Sequence, residues 1–173
     1  MGELVIRIRV LGIPAPQGSK SYMGVSDAGR PRFRESSKRV KPWRSDVRDA
    51  ALDVIGKRSR GPRSEIVNWT PLDGPVDVTL AFRLPRPKGH MLPANSRRPE
   101  PILHPAAPPK PIGKPDLDKL TRAVLDALTG IVWRDDSQVV RLIVSKHYAD
   151  DAPAGLDIWA LDAIDRRLEE SIP

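Results

Sequence analysis

Apolar and polar positions alternate in several short stretches of the chain and recur every three or four residues in two others. Leu4 to Val10 (LVIRIRV) places Arg between Val, Ile and Leu at a period of two, which predicts a strand with one face on a core; it ends at the turn-rich GIPAPQGSK. From Pro42 to Ile55, Trp43, Val47, Ala50 or Ala51, and Val54 recur at helical spacing with Arg44, Asp46, Arg48 and Asp49 between them. Proline suits the first turn of that helix, and Gly56 is its expected stop. Val76 to Leu84 (VDVTLAFRL) reads as a second strand. Leu117, Leu120, Val124, Leu128 and Ile131 mark a second amphipathic helix, with Asp116 and Asp118 at its entrance and Gly130 as its terminator. Val139 to His147 has strand composition, and Leu156 to Leu161 alternates as another strand before a tail that extends it or turns into a short helix. The predicted fold is α+β in one domain, ordered strand, helix, strand, helix, strand, strand, with a mixed sheet covered by the two helices.

Two stretches have no sustained period. Residues 18–39 are rich in Gly, Ser and Arg and are expected to form a loop that offers Lys20, Arg30, Arg32, Arg34, Lys38 and Arg39 to phosphates. Residues 85–115 hold ten prolines and six Lys or Arg against one acid, which excludes regular helix and sheet interior. A loop this long is functional or a spacer. The expectation is a flexible basic arm that tracks DNA through Arg97, Arg98, Lys110 and Lys114, with Lys119 just inside the second helix.

Composition sharpens that picture. With 173 residues, 39% hydrophobic and 29% charged, the chain is long enough for one domain with a real core. No window approaches the roughly 18 to 20 apolar residues of a membrane span, and the amino terminus lacks a signal-like apolar run, so a cytoplasmic protein is expected, in a host cytoplasm if phage-encoded. The absence of cysteine excludes disulfides, thiolate nucleophiles and Cys-based zinc sites, leaving Asp, Glu or His to hold any metal. The net charge of +7 is uneven: residues 1–115 carry 22 Lys and Arg against 10 acids, and residues 116–173 carry 7 against 12. A basic surface attracts a polyanion, and an acidic patch within it suits a hard divalent cation.

Asp116 and Asp118 could project toward a common cation from the helix entrance, with Pro115 fixing the local backbone; Asp is also a favoured N-cap, and a cap needs only one of them. Asp135 and Asp136, just before a strand, fit turn chemistry equally well. Nothing in the sequence shows that the two pairs meet. His90, His104 and His147 fit solvent exposure or ordinary hydrogen bonding better than catalysis. Trp43, Trp69, Trp133 and Trp159 fit core or rim positions, with Trp133, beside the acidic pair, the one candidate for stacking on a base. There is no Ser-His-Asp nucleophile signature and no Gly-rich phosphate loop.

The segment Lys114 to Val140, KPDLDKLTRAVLDALTGIVWRDDSQVV, resembles the signature of the RusA family of Holliday-junction resolvases, in which D-x-D opens a helix and D-D-x-Q-V follows it. Weaker likenesses extend to PAPQGSK, to the W-R-x-x-V of Trp43 to Val47 and to GLDIWALDAI. The resemblance implies catalytic, metal-binding carboxylates at Asp116, Asp118 and Asp136, with Asp135 as a neighbouring acid that could join the metal. It implies Mg2+, or Mn2+ as a substitute, as cofactor, and a homodimer that resolves four-way DNA junctions by paired phosphodiester cleavage. Arg122 stands where the family has a functional lysine, which keeps the charge but replaces an ammonium with a planar fork. The arm at 85–115 is the other departure, being longer than the short basic link of compact members. Three further readings stay open: a nuclease for forks, flaps or general branched DNA, a junction-binding protein without catalysis, and a phage or replication accessory protein whose basic arm binds another protein instead of DNA.

Overall fold

The structure is a computed structural model that describes residues 5–18, 20–25, 29, 31–35, 38–59 and 69–163. Among these residues the chain forms a four-stranded sheet, two helices and two small ribbons. The sheet comprises β1 (Val5–Leu11), β4 (Val76–Leu84), β7 (Val139–Tyr148) and β8 (Gly155–Asp162), in the spatial order β1-β8-β4-β7. β4 runs parallel to β7, and the other neighbours are antiparallel, so the sheet is mixed as expected.

The period-two pattern explains which face is buried. Cross-strand register aligns Ile8, Ile158, Leu80 and Val144 in one row, with Ile6, Ala160, Val78 and Leu142 beside it. These rows, apart from their β7 ends, are fully buried and meet α1 (Val40–Ser59) and α2 (Leu117–Leu128) in one continuous core. The opposite face carries Arg7, Arg9 and Arg83, consistent with both helices lying on one side. Asp157 sits between Arg9 and Arg83 there and pairs with both. Gly155 permits the close approach of β8 to β1, since a Cβ at that position would stand 2.2 Å from the Val10 carbonyl oxygen.

Helix α1 buries Val40, Trp43, Val47, Ala51 and Ile55. It runs through Gly56 to Ser59, so the expected stop does not operate; a single glycine lowers helix stability without ending a helix. Gly130 does act as a terminator, adopting φ +77 just beyond α2, with its amide donating to the Trp133 carbonyl at 2.7 Å.

Residues 18–39 are not simply a loop. They contain an antiparallel ribbon of β2 (Lys20–Val25) and β3 (Pro31–Glu35), with a register shift between Tyr22 and Val25. The ribbon is separate from the main sheet, so its sequence lacks the long alternation that betrays the core strands.

The proline-rich arm also departs from expectation, because it folds down. It contains a short 3-10 turn at Lys88–His90 and a ribbon of β5 (Met91–Leu92) with β6 (Ile102–Leu103). Arg86 clasps its beginning: the guanidinium lies 4.0 Å over the Tyr148 ring, bonds both carboxylate oxygens of Asp150 at 2.6 and 2.7 Å, and donates to the Pro108 carbonyl at 3.0 Å. Lys146 fastens its end, donating to the carbonyls of Gly113 at 2.8 Å and Pro115 at 3.0 Å. Composition excluded regular structure but could not reveal side-chain clasps made with distant strands.

Candidate active site

At the entrance of α2, Asp116 occupies the N-cap position in extended conformation but makes no side-chain cap bond among the described residues. Its carboxylate turns instead to Lys119, one helical turn on, at 2.8 Å. The hydrogen bond from Lys119 holds Asp116 below the ordinary aspartate range, helped by the charges of Lys114 and Lys146, and the same contact raises Lys119. Asp118, two residues along, borders a different space, where it meets Gln17, Gly18, Lys119 and Arg122. The loop bearing Gln17 is stitched to the helix by a 3.0 Å bond from the Gln17 amide to the Lys119 carbonyl. Arg44 from α1 joins Gln17 to Asp126.

The second acidic pair also divides its labour. Asp135 caps a 3-10 turn over Asp136–Gln138: its carboxylate accepts from the Ser137 amide at 2.9 Å, and the Gln138 side-chain oxygen accepts from the Asp135 amide at 2.9 Å. The Ser137 bonds hold Asp135 below the ordinary range. Gln138 further donates to the carbonyls of Leu72 at 3.0 Å and Gly74 at 2.8 Å, tying this turn to the approach to β4. Asp136 is exposed, its carbonyl accepting from the Val139 amide while its carboxylate has no hydrogen-bond or ion-pair partner among the described residues.

Asp118, from the entrance of α2, and Asp136, from the turn before β7, line one groove. Helix α2 packs against β7, with its entrance beside Lys146 near the end of that strand. The groove between them holds about 400 Å³ and is lined by Asp118, Arg122 and Asp136 over a floor that includes Leu125, Leu142 and Val144. Asp116 borders the adjoining cavity instead. Among the described residues, no three His, Asp or Glu side chains lie close enough together to hold one ion.

Other candidate residues are scattered. Arg30 lies outside the described residues, while Lys20, Arg32 and Arg34 are described only as positions in β2 and β3. Lys38, Arg39, Arg97, Lys110, Lys114 and Lys119 are exposed, as phosphate contacts must be. Arg98 is instead drawn onto the Pro93 carbonyl at 2.6 Å, bracing its own turn. His104 accepts from the Ala106 amide, and His90 packs edge-on against Tyr148. Trp133 is fully buried, which corrects its reading as a stacking candidate; an apolar ring beside a polar turn signals an anchor to the core as readily as an exposed platform.

The sequence carried Gln17, Arg44 and Gln138 only as letters within family-like motifs, without a role. Lys146 had a local signal, a cation at the end of the apolar series Leu142 and Val144, on the face turned toward the helices.

The model of the family described as Endodeoxyribonuclease RusA matches residues 27–158, most of the chain. The chain belongs to the RusA family. The matched stretch includes the whole segment from Asp116 to Gln138 and excludes the PAPQGSK loop. RusA enzymes are endodeoxyribonucleases, hydrolases acting on DNA. Nucleases of this family are generally dependent on a divalent metal. The chain is also similar to the uncharacterized protein YqaN of Bacillus subtilis (strain 168), at 35% identity over 82 residues, which cover 47% of this chain and 55% of YqaN. The match thus spans little more than half of that relative. No helix among the described residues is long and apolar enough to cross a membrane.

The donor set fits a divalent cation in kind. Asp118 and Asp136 offer hard oxygen ligands that make no hydrogen bond or ion pair among the described residues, although the Asp118 charge is felt by Lys119, and Mg2+ is commonly held by one or two carboxylates completed by water and substrate phosphate. Asp116 differs in that its charge is already balanced by Lys119.

Proposed function

We propose that this RusA-family chain is a Mg2+-dependent, structure-selective endonuclease that resolves four-way DNA junctions, with Asp116, Asp118 and Asp136 as its catalytic carboxylates. The observation that carries this reading is the groove shared by Asp118, Arg122 and Asp136, whose two carboxylates make no hydrogen bond or ion pair among the described residues. A bound divalent metal supplies Lewis acidity toward the phosphate and a more acidic water. Asp118 and Asp136 would hold it, and Asp116 would join once Lys119 moves from its carboxylate to a DNA phosphate. Mn2+ would substitute, since it takes the same oxygen ligands. Arg122, one turn beyond Asp118, sets its guanidinium against the phosphate and balances charge that builds on the leaving oxygen. Asp135 orients Asp136 through the capped turn rather than binding metal.

Exposed Lys38, Arg39, Lys110 and Lys114 would grip the DNA backbone by charge and shape. A homodimer accounts for paired nicks on strands of like polarity, and the exposed apolar side chains Val140 and Ile143 on the outermost strand β7 support such a contact. The test is cleavage of a mobile four-way junction with and without Mg2+, beside matched fork and duplex substrates, for wild type and Asp116→Asn. Selective nicking of the junction that requires metal and is lost in the variant is expected. Metal-dependent cutting of fork and junction alike would point to a general branched-DNA nuclease, and binding without nicking by wild type would sink the catalytic reading.

A further inference from the structure

A cavity bordered by Asp116, at the entrance of α2, has apolar walls that the mechanism above does not use. It holds about 640 Å³, within the range of small-molecule sites, and lies between the loop after β1 and the folded arm. Ile13, Pro14, Pro87, Pro111 and Ile112 supply apolar walls, and Tyr148 closes one side. Its polar side is cationic, carrying Arg39, Lys114 and Lys119, with Asp116 as the one acid among the lining residues. An apolar slot with a cationic lip that opens beside a catalytic carboxylate is complementary to a group that is flat and apolar at one end and anionic at the other.

We propose that this cavity receives an unstacked nucleobase of the strand being cut, next to the scissile phosphate, while Lys114 and Arg39 hold the adjoining phosphates. The assignment rests on the reading of Asp116, Asp118 and Asp136 as the cleavage site, because those residues fix where the strand runs. Proline rings present flat C–H surfaces to a π-system and lose no side-chain entropy on contact. The clasps formed by Arg86 and Lys146 hold these walls in place before DNA arrives. A base at a branch point has already lost part of its stacking, so drawing it out costs less there than within a duplex. The cavity therefore contributes to selection of branched DNA without reading groove edges.

The test combines a binding and a cleavage measurement. Ile13 and Ile112 are both largely exposed, so Ile13→Ser with Ile112→Ser removes apolar wall without disturbing the core. A four-way junction carries 2-aminopurine singly at each position within two nucleotides of the branch, and fluorescence is read on binding in metal-free buffer. Wild type is expected to raise the signal several-fold at one position, and the double variant to bind the junction without that rise. An abasic residue at the same position should slow Mg2+-dependent cleavage by wild type roughly tenfold, the scale of one lost base contact, and barely affect the variant. No rise at any position, as when the cavity takes a peptide instead, or an equal rise in the variant overturns the base site. A fluorescence rise with no cleavage of any junction leaves the base site standing and removes the nuclease reading; cleavage without a rise does the reverse.

Discussion

The two acidic pairs, one at the entrance of α2 and one before β7, use the same residue type in different surroundings and reach the same division. In each pair one carboxylate is held by its neighbours, Asp116 by the Lys119 ammonium and Asp135 by the Ser137 amide, while the carboxylates of Asp118 and Asp136 make no hydrogen bond or ion pair among the described residues. The difference lies in the holder. A salt bridge can be exchanged for a phosphate or a metal, whereas a capping box is part of the backbone turn. Asp116 is thus a carboxylate in reserve and Asp135 a fixed support.

Substitutions test that contrast, beginning with the free members. Asp118→Asn and Asp136→Asn should each lower junction cleavage by roughly a thousandfold while leaving the thermal midpoint unchanged, because removal of a metal ligand forfeits several kcal/mol of charge stabilisation. Cleavage within tenfold of wild type for either would remove that residue from the ligand set. Among the held members, Asp116→Asn is expected to lose activity on the same scale with little change in unfolding. Asp135→Asn should lose only about tenfold, the scale of support residues around a metal, and should unfold at a lower temperature. Equal behaviour of these two variants in both assays would erase the distinction.

Gln138 underlies the second pair. Gln138→Ala leaves the carbonyls of Leu72 and Gly74 and the Asp135 amide without their side-chain partner, which should cost roughly 1–3 kcal/mol in urea unfolding. Cleavage should fall through misplacement of Asp136, and Gln138→Glu, which keeps the oxygen acceptor but not the two donated bonds, should restore only part of it.

The smallest effect concerns pH. Asp116 and Asp135 have folded pKa values below the unfolded value of about 3.9, so each adds stability that is present above that value and lost as pH falls through the lower folded one. Lys119 is raised, so its contribution is present below its unfolded value of about 10.4 and lost as pH rises through the higher folded one. Asp116→Asn should therefore flatten both the acid and the alkaline limbs of the stability profile, and Asp135→Asn the acid limb alone. All three groups are exposed, so these changes are small and shrink with added salt.

The two pairs also mark where sequence reasoning ends. Period two in LVIRIRV and VDVTLAFRL, and the spacing from Leu117 to Leu128, identified core strands and the second helix because burial imposes those periods directly. Two neighbouring aspartates carry no such period: whether one caps, pairs or stands free depends on Lys119 and Ser137 geometry that spacing does not encode. The side chain of Asp116 could cap α2 and does not; that of Asp135 could lie free and does not. The β2–β3 ribbon was hidden because it lies outside the main sheet, and the arm because Arg86 finds Asp150 some sixty residues away. Gly56 shows the converse error, a local signal overruled by the packing of Ile55 against the core.

The fastening of the arm has a consequence for how such chains can diverge. Arg86 and Lys146 fix its two ends to the strands around the cavity, so the residues between β5 and β6 hang from a closed frame. The entropy of closing a loop rises only as the logarithm of its length, about 0.6 kcal/mol for each doubling. Insertions and deletions near the exposed Glu100, beyond the hydrogen-bonded turn of Asn95 and Arg98, should therefore be among the cheapest changes this protein can accept, altering the reach of the arm over its substrate while the spacing between Asp116 and Asp136 stays as it is.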